Sequence, residues 1–257
     1  MSSFSATAAF ITPNAIKIPA ATALFWLVKI LTTGLGETSS DFLVGAMRPT
    51  FAVLLGAILL AVSLAVQWFW PRFNTWVYWL AVLMVSIFGT MAADVVHRML
   101  GVPYGISSLA FASLLAVTFW LWARTEGTLS IHSIRSKRRE AFYWTVVLLT
   151  FALGTALGDM SAHSWGLGYL ASAVAYGVLI LIPPLAFHRH ILGSVAAFWS
   201  SYVLTRPLGA SFADWFGAPV PRGGLGLGFG PVSAVLLLVF FALVAYAARS
   251  HDGDEPV

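Results

Sequence analysis

Cysteine is absent from the 257 residues, which removes disulfides, iron–sulfur clusters, thiolate metal sites and thiol nucleophiles from consideration. Charge is scarce as well. Asp, Glu, Lys and Arg make up only 9% of the chain against a hydrophobic share of 59%, where a water-soluble domain carries roughly 25% charged residues. A soluble globular fold is thereby excluded. Residues 1–16 lack a basic segment and a small-residue cleavage pattern, so no removable signal peptide is expected and the first apolar run should stay as an anchor. No Ser/His/Asp arrangement, HExxH or Walker sequence occurs, and the glycines of Gly223 to Gly230 do not follow the dinucleotide-binding spacing. Enzyme chemistry therefore has no positive support, and the chain reads as a non-enzyme.

What the sequence holds instead is apolar runs long enough to cross a bilayer. Eight are delimited by Trp, Tyr, Pro and Arg: about 20–42, 50–68, 76–97, 104–122, 141–161, 168–187, 193–214 and 229–248. At a rise of about 1.5 Å per residue, each matches a hydrocarbon core of about 30 Å. An open sheet would leave backbone groups unpaired in lipid, and no barrel-like alternation is present, so the expected class is all-α. The whole of 1–257 forms one transmembrane domain in this reading.

The net charge of +4 reads as a topology signal rather than as nucleic-acid binding. Of the 14 Lys and Arg, nine border the N-terminus and the loops after even spans, three border the opposite side, and Lys29 and Arg206 fall inside spans. This bias predicts that both termini face the cytoplasm, in a bacterial inner membrane. The cluster Arg135, Lys137, Arg138 and Arg139 could hold anionic lipid head groups, the Trp residues suggest an interfacial aromatic belt, and the acidic tail at Asp252, Asp254 and Glu255 reads as a solvated end.

Spans one, three, five and seven share one skeleton. A Trp is followed ten residues later by Gly and fifteen residues later by Asp: Trp26, Gly36, Asp41; Trp79, Gly89, Asp94; Trp144, Gly154, Asp159; Trp199, Gly209, Asp214. Identical spacing in four places indicates duplication. The repeats run about 17–72, 73–137, 138–190 and 191–250. Each contains two spans, so the four share one orientation and should be related by an axis along the membrane normal.

With these residues in view, the chain resembles a bacterial multi-pass membrane family of four tandem two-helix repeats of unknown function, each with a tryptophan, often labelled membrane-anchored proteins. The resemblance is carried by Lys17-Ile18-Pro19, Phe25-Trp26, Lys29 and Gly36-Glu37-Thr38 followed by Asp41. It implies the fold and no settled activity.

Along each odd span, residues four apart make a stripe. These are Lys29, Thr33, Glu37 and Asp41; Val82, Ser86, Thr90 and Asp94; Val147, Phe151, Thr155 and Asp159; and Tyr202, Arg206, Ala210 and Asp214. The even spans are apolar all round. Odd helices should therefore lie inside and even helices against lipid. Ionised side chains at membrane depth need partners or water and are functional candidates by default. The expected site is a ring of Asp41, Asp94, Asp159 and Asp214, with Glu37 and Lys29 as a deeper relay and Arg206 as gate or counter-ion. Lys29 with Glu37 as a fixed ion pair is the structural counterpart of that relay. Arg206-Pro207 should kink or unwind the seventh span. The spacings Asp94/His97 and Asp159/His163 place oxygen and nitrogen ligands on one helical face, a candidate transition-metal site.

The function these features favour is transport or conduction of a cation, a divalent metal among the candidates. The alternative is a non-transporting scaffold or lipid-interacting protein, and a membrane enzyme using Asp and His is a third reading. The bilayer and a small cation are the expected partners; oligomerisation has no signal in the sequence.

Overall fold

In a computed structural model, residues 16–252 are described. The leader reading of residues 1–15 and the acidic tail at Asp254 and Glu255 lie outside the described residues. All regular structure among the described residues is helical: α1 (Ala23–Ala46), α2 (Pro49–Phe69), α3 (Thr75–Asp94), α4 (Tyr104–Glu126), α5 (Lys137–Asp159), α6 (Gly168–Leu179), α7 (Ile182–His188), α8 (Ser194–Gly217) and α9 (Phe229–Asp252), with short 3-10 and π turns. Polar caps start three of the inner helices. The side-chain oxygens of Thr22, Asn74 and Ser136 accept from the backbone N–H of Phe25, Val77 and Arg139, satisfying donors that the first helical turn leaves free.

Among the described residues, six helices are long and apolar enough to cross a membrane: 49–69, 75–99, 104–126, 137–164, 168–188 and 229–250. The chain is a membrane protein with internal repeats. Helices α1 and α8 have 24 residues each, ample length, but they carry Lys29, Glu37 and Asp41, and Arg206 and Asp214. These most polar helices are accommodated by burial. α1, α3, α5 and α8 form the interior, and α2, α4, α6 with α7, and α9 surround them, as the stripes predicted. On the surrounding helices Leu109 is 69% and Leu238 73% exposed, as side chains that face lipid must be.

The interior is a closed ring in which α1 packs on α3, α3 on α5, α5 on α8, and α8 on α1. The repeat glycines make the close approach possible. A Cβ on Gly36 would strike Ser86, one on Gly89 Phe151, one on Gly154 Arg206, and one on Gly209 Thr33. In every case the struck residue stands three before the glycine of the next repeat, and the fourth repeat closes back onto the first. Only a residue without a side chain lets the helices meet this closely.

The aromatic ends repeat the pattern. Phe25 packs on Trp79 at 5.6 Å between ring centroids, Tyr78 on Trp144 at 5.8 Å, Tyr143 on Trp199 at 6.1 Å, and Phe198 on Trp26 at 5.5 Å. Each residue before a repeat Trp thus covers the Trp of the neighbouring repeat. This corrects the aromatic-belt reading for the four repeat tryptophans. Three of them, Trp79, Trp144 and Trp199, are buried, because tilting onto the next repeat hides more apolar surface than facing the interface. Trp70, Trp76, Trp120 and Trp165 are the exposed ones.

The surrounding helices are displaced by one repeat. α2 packs chiefly on α3, α4 on α5, α6 and α7 on α8, and α9 on α1. Each repeat therefore covers the inner helix of its successor, and the C-terminal helix covers the N-terminal one. No repeat buries its own polar stripe by itself.

Two local details depart from the sequence reading. The sixth span breaks at Ile180–Leu181, since Pro183 and Pro184 supply no N–H and fit only the first turn of a new helix. The seventh does not unwind at Pro207: α8 continues from Ser194 to Gly217 with the proline inside it. Neighbouring helices hold it on both sides, Thr33 donating through its hydroxyl to the Thr205 carbonyl at 3.1 Å.

Candidate functional site

The four stripes superpose as levels along the ring axis, about 6 Å apart. Lys29, Val82, Val147 and Tyr202 occupy the first. Thr33, Ser86, Phe151 and Arg206 form the second, Glu37, Thr90, Thr155 and Ala210 the third, and Asp41, Asp94, Asp159 and Asp214 the fourth.

Arg206 rises from the second level and ties the third together. Its guanidinium donates to the Thr33 carbonyl at 2.9 Å, to Glu37 Oε2 at 2.7 Å, to Thr155 Oγ1 at 2.7 Å and to Thr90 Oγ1. Glu37 also accepts from Thr90 at 3.4 Å. Arg206 is wholly buried and Glu37 almost so. The residues standing at the Glu37 position in repeats two and three are thus the other hydroxyl partners of the same guanidinium. Glu37 differs from Thr90 and Thr155 because one arginine needs one counter-charge, and two further charges would be left unpaired. Threonine at two of the repeat-equivalent positions was the available signal.

Lys29 corrects the expectation of a Lys29–Glu37 pair. Glu37 is engaged by Arg206, eight residues of α1 separate it from Lys29, and the Lys29 side-chain nitrogen has no hydrogen-bond partner. It stands over the rings of Phe151, 3.9 Å from the centroid, and Tyr202, 4.1 Å.

At the fourth level three carboxylates share one space. Asp41, Asp159 and Asp214 line a cavity of about 280 Å³ with Arg98, Arg222, Tyr169 and Phe229. Asp94 joins through Arg98, whose guanidinium lies 3.4 Å from an oxygen of Asp41 and 3.4 Å from one of Asp94. The Arg98 side chain is 51% exposed. Asp214 is 92% buried, its exposure being 8%, and among the described residues no hydrogen bond or ion pair reaches its carboxylate. Asp159 Oδ2 is likewise buried without a partner.

Among the described residues, Glu37, Asp41 and Asp214 can bring one carboxylate oxygen each to within 4.8 Å of one another. This triad joins the third level to the fourth. Arg98 and Arg222 are two of the three basic residues that border the less basic side of the chain, and the Asp94 to Arg98 spacing of four residues is the sign in the sequence that Arg98 belongs to the site.

The ligand group that comes together among the described residues, Glu37, Asp41 and Asp214, includes neither His97 nor His163. α3 opens into a π turn at Val95–Met99 directly after Asp94, and α5 into one at Met160–Ser164 directly after Asp159. The histidines take other partners. His97 Nδ1 meets the Ser107 hydroxyl at 3.1 Å and the Val102 carbonyl at 3.4 Å. His97 and His163 both pack on Tyr104, at 4.4 and 6.3 Å between centroids.

The basic cluster is also partly taken up inside the chain. Arg138 and Arg139 pair with Glu126, and Lys137 with Glu140 and the Trp68 carbonyl. Lys17 fastens the same end, donating to the Gln67 and Trp68 carbonyls at 3.2 and 3.0 Å and pairing with Glu140 at 3.1 Å.

A family model described as "Repeat of Unknown Function (DUF347)" matches residues 77–128, 142–190 and 197–252, segments of repeats two, three and four. No curated protein and no solved structure matches the chain. Since the three matches span more than half of its length and fall on successive two-helix units, the chain belongs to this repeat family.

Proposed function

We propose that the protein is a carrier for a hard divalent cation of the Mg²⁺, Ca²⁺ or Mn²⁺ class, bound by Glu37, Asp41 and Asp214 with Asp159 beside them. The supporting observation is Asp214: a residue 92% buried whose carboxylate lines a cavity with no hydrogen bond or ion pair among the described residues, beside the buried unpartnered Asp159 Oδ2. Burying such a group unpaired costs several kcal/mol, a cost that purely structural roles avoid by pairing, as Arg206 and Glu37 do. A cation removes it. The donors are all oxygen, which suits hard ions and disfavours metals that prefer nitrogen or sulfur.

Arg98 reaches this level as a tethered cation. Half exposed, it can leave when a metal enters.

Beyond the triad, the axis is filled by Arg206, Lys29, Phe151, Tyr78, Tyr143 and Tyr202, all buried. A filled axis argues for a carrier rather than an open channel, with the cavity accessible from one side only. The basic residues at the tryptophan end support a cytoplasmic position for that end under the positive-inside rule, and in this reading, within a bacterial inner membrane, the cavity opens outward.

The test is Mn²⁺ and Mg²⁺ flux into proteoliposomes. Saturable uptake is expected, lost when Asp41, Asp94, Asp159 and Asp214 are all replaced by Asn. No flux, or flux that survives the replacement, overturns the proposal.

A further inference from the structure

Lys29 has no place in a site made of carboxylates, yet it is wholly buried at the middle of the ring. Its nitrogen has no hydrogen-bond partner. The groups facing it come from three helices. α8 supplies Arg206 and the Tyr202 ring. α5 supplies the Phe151 ring and, beyond Tyr202, Tyr143. α3 supplies Tyr78, whose hydroxyl lies 2.6 Å from that of Tyr143. α9 and α2 also pack on α1; they bury Val232, Ser233, Phe240, Val244 and Ala247, and Ala52, Gly56, Leu60, Ser63 and Gln67, none of them titratable.

Two basic side chains approach Phe151, the Lys29 nitrogen at 3.9 Å from the ring centroid and the Arg206 guanidinium at 5.2 Å. Two bases thus share the buried centre with one acid, Glu37, and that acid is hydrogen-bonded to Arg206. A guanidinium does not give up its proton in proteins, whereas a lysine can. Neutrality of the centre therefore falls to Lys29.

We propose that Lys29 is a proton-binding site that couples the cation site to pH: in this conformation it is the neutral amine, and its protonation and occupation of the Glu37–Asp41–Asp214 site exclude each other. This rests on the cation reading above. One proton leaves the Lys29 nitrogen for bulk water as one cation binds, and returns when the cation is released. Eight residues of helix, about 12 Å, separate Lys29 from Glu37. At an effective dielectric constant near 20, a positive charge at that distance weakens binding roughly tenfold for each unit of cation charge. By reciprocity, the cation disfavours the Lys29 proton by the same factor.

The chain has three lysines, Lys17, Lys29 and Lys137, so the experiment is ¹⁵N solid-state NMR of lysine-labelled protein in bilayers across pH 5 to 9, with and without Mg²⁺. Mg²⁺ binding is measured by calorimetry on the same samples. One of three nitrogen resonances is expected at the amine position near pH 7 and is absent from Lys29→Met. If that variant does not fold, Lys17→Arg and Lys137→Arg identify the resonance by elimination. At an acidic pH where part of Lys29 is ammonium, Mg²⁺ should convert it to amine. An ammonium resonance at every pH overturns the proposal, as does an amine indifferent to Mg²⁺ in protein that binds Mg²⁺. Absence of Mg²⁺ binding, with Mn²⁺ equally without effect, would instead overturn the cation reading on which the coupling depends.

Discussion

Two neighbouring levels of one ring, a single helical turn apart, are built to opposite specifications. At the Glu37 level one guanidinium meets one carboxylate, two threonine hydroxyls and a carbonyl. At the Asp level three carboxylates line one cavity with two arginines, and one of the acids, Asp214, is left without a partner among the described residues. The first arrangement holds helices together and the second waits for an ion. Identical spacing in four repeats does not impose identical roles: at one position of the stripe Thr90 and Thr155 supply hydroxyls to Arg206, while Glu37 supplies its counter-charge and also reaches Asp41 and Asp214.

Replacing either level should therefore have unlike consequences, and the largest effect belongs to the lock. Arg206→Met leaves Glu37 buried without a counter-charge and is expected to cost about 3–5 kcal/mol, read by thermal unfolding in detergent. Adding Glu37→Leu to Arg206→Met should recover much of that loss, because the stranded charge is gone. A double variant as unstable as the single would show that the pair is not what holds the third level.

Next in size is the ring itself. Gly209→Ala drives a Cβ into the Thr33 side chain and should destabilise by about 1–3 kcal/mol. Gly105→Ala, a position with nothing within 4 Å, should be neutral or slightly stabilising, as Ala is the better helix former. Equal responses at the two glycines would mean that the ring yields where close contact was inferred.

At the Asp level the expectation reverses. Asp214→Asn removes a buried unpaired charge, so the melting temperature should hold or rise while divalent cation affinity falls at least about tenfold, or about 1.4 kcal/mol. The smallest effect is at the half-exposed Arg98, where weak ion pairs at 3.4 Å are worth under about 1 kcal/mol. Arg98→Gln should tighten cation binding a few-fold with little change in stability. Weaker binding in that variant would make Arg98 a partner of the site rather than its competitor.

The fold was legible because its signal is redundant. Low charge, eight apolar runs and four copies of Trp, Gly and Asp all specify the same inner and surrounding helices. The fifteen-residue spacing also placed the acids at one end. What stayed hidden depends on turns that the 3.6-residue period does not describe. Two π turns follow Asp94 and Asp159, His97 and His163 pack against Tyr104, and the partner of Glu37 comes from a helix 169 residues away rather than from its own stripe. A proline pair that splits the sixth span and a proline that leaves the eighth helix intact look alike as text. Only the packing around Pro207, including the Thr33 bond to Thr205, distinguishes them.

The decisive measurement is equilibrium Mn²⁺ binding to the purified protein in nanodiscs, followed by the EPR signal of free Mn²⁺ alongside thermal unfolding of the same samples. One saturable site is predicted, abolished by Asp41→Asn with Asp214→Asn in protein that unfolds no earlier than wild type. A site that survives both replacements, or loss of binding only together with loss of folding, would contradict the division between lock and cation site.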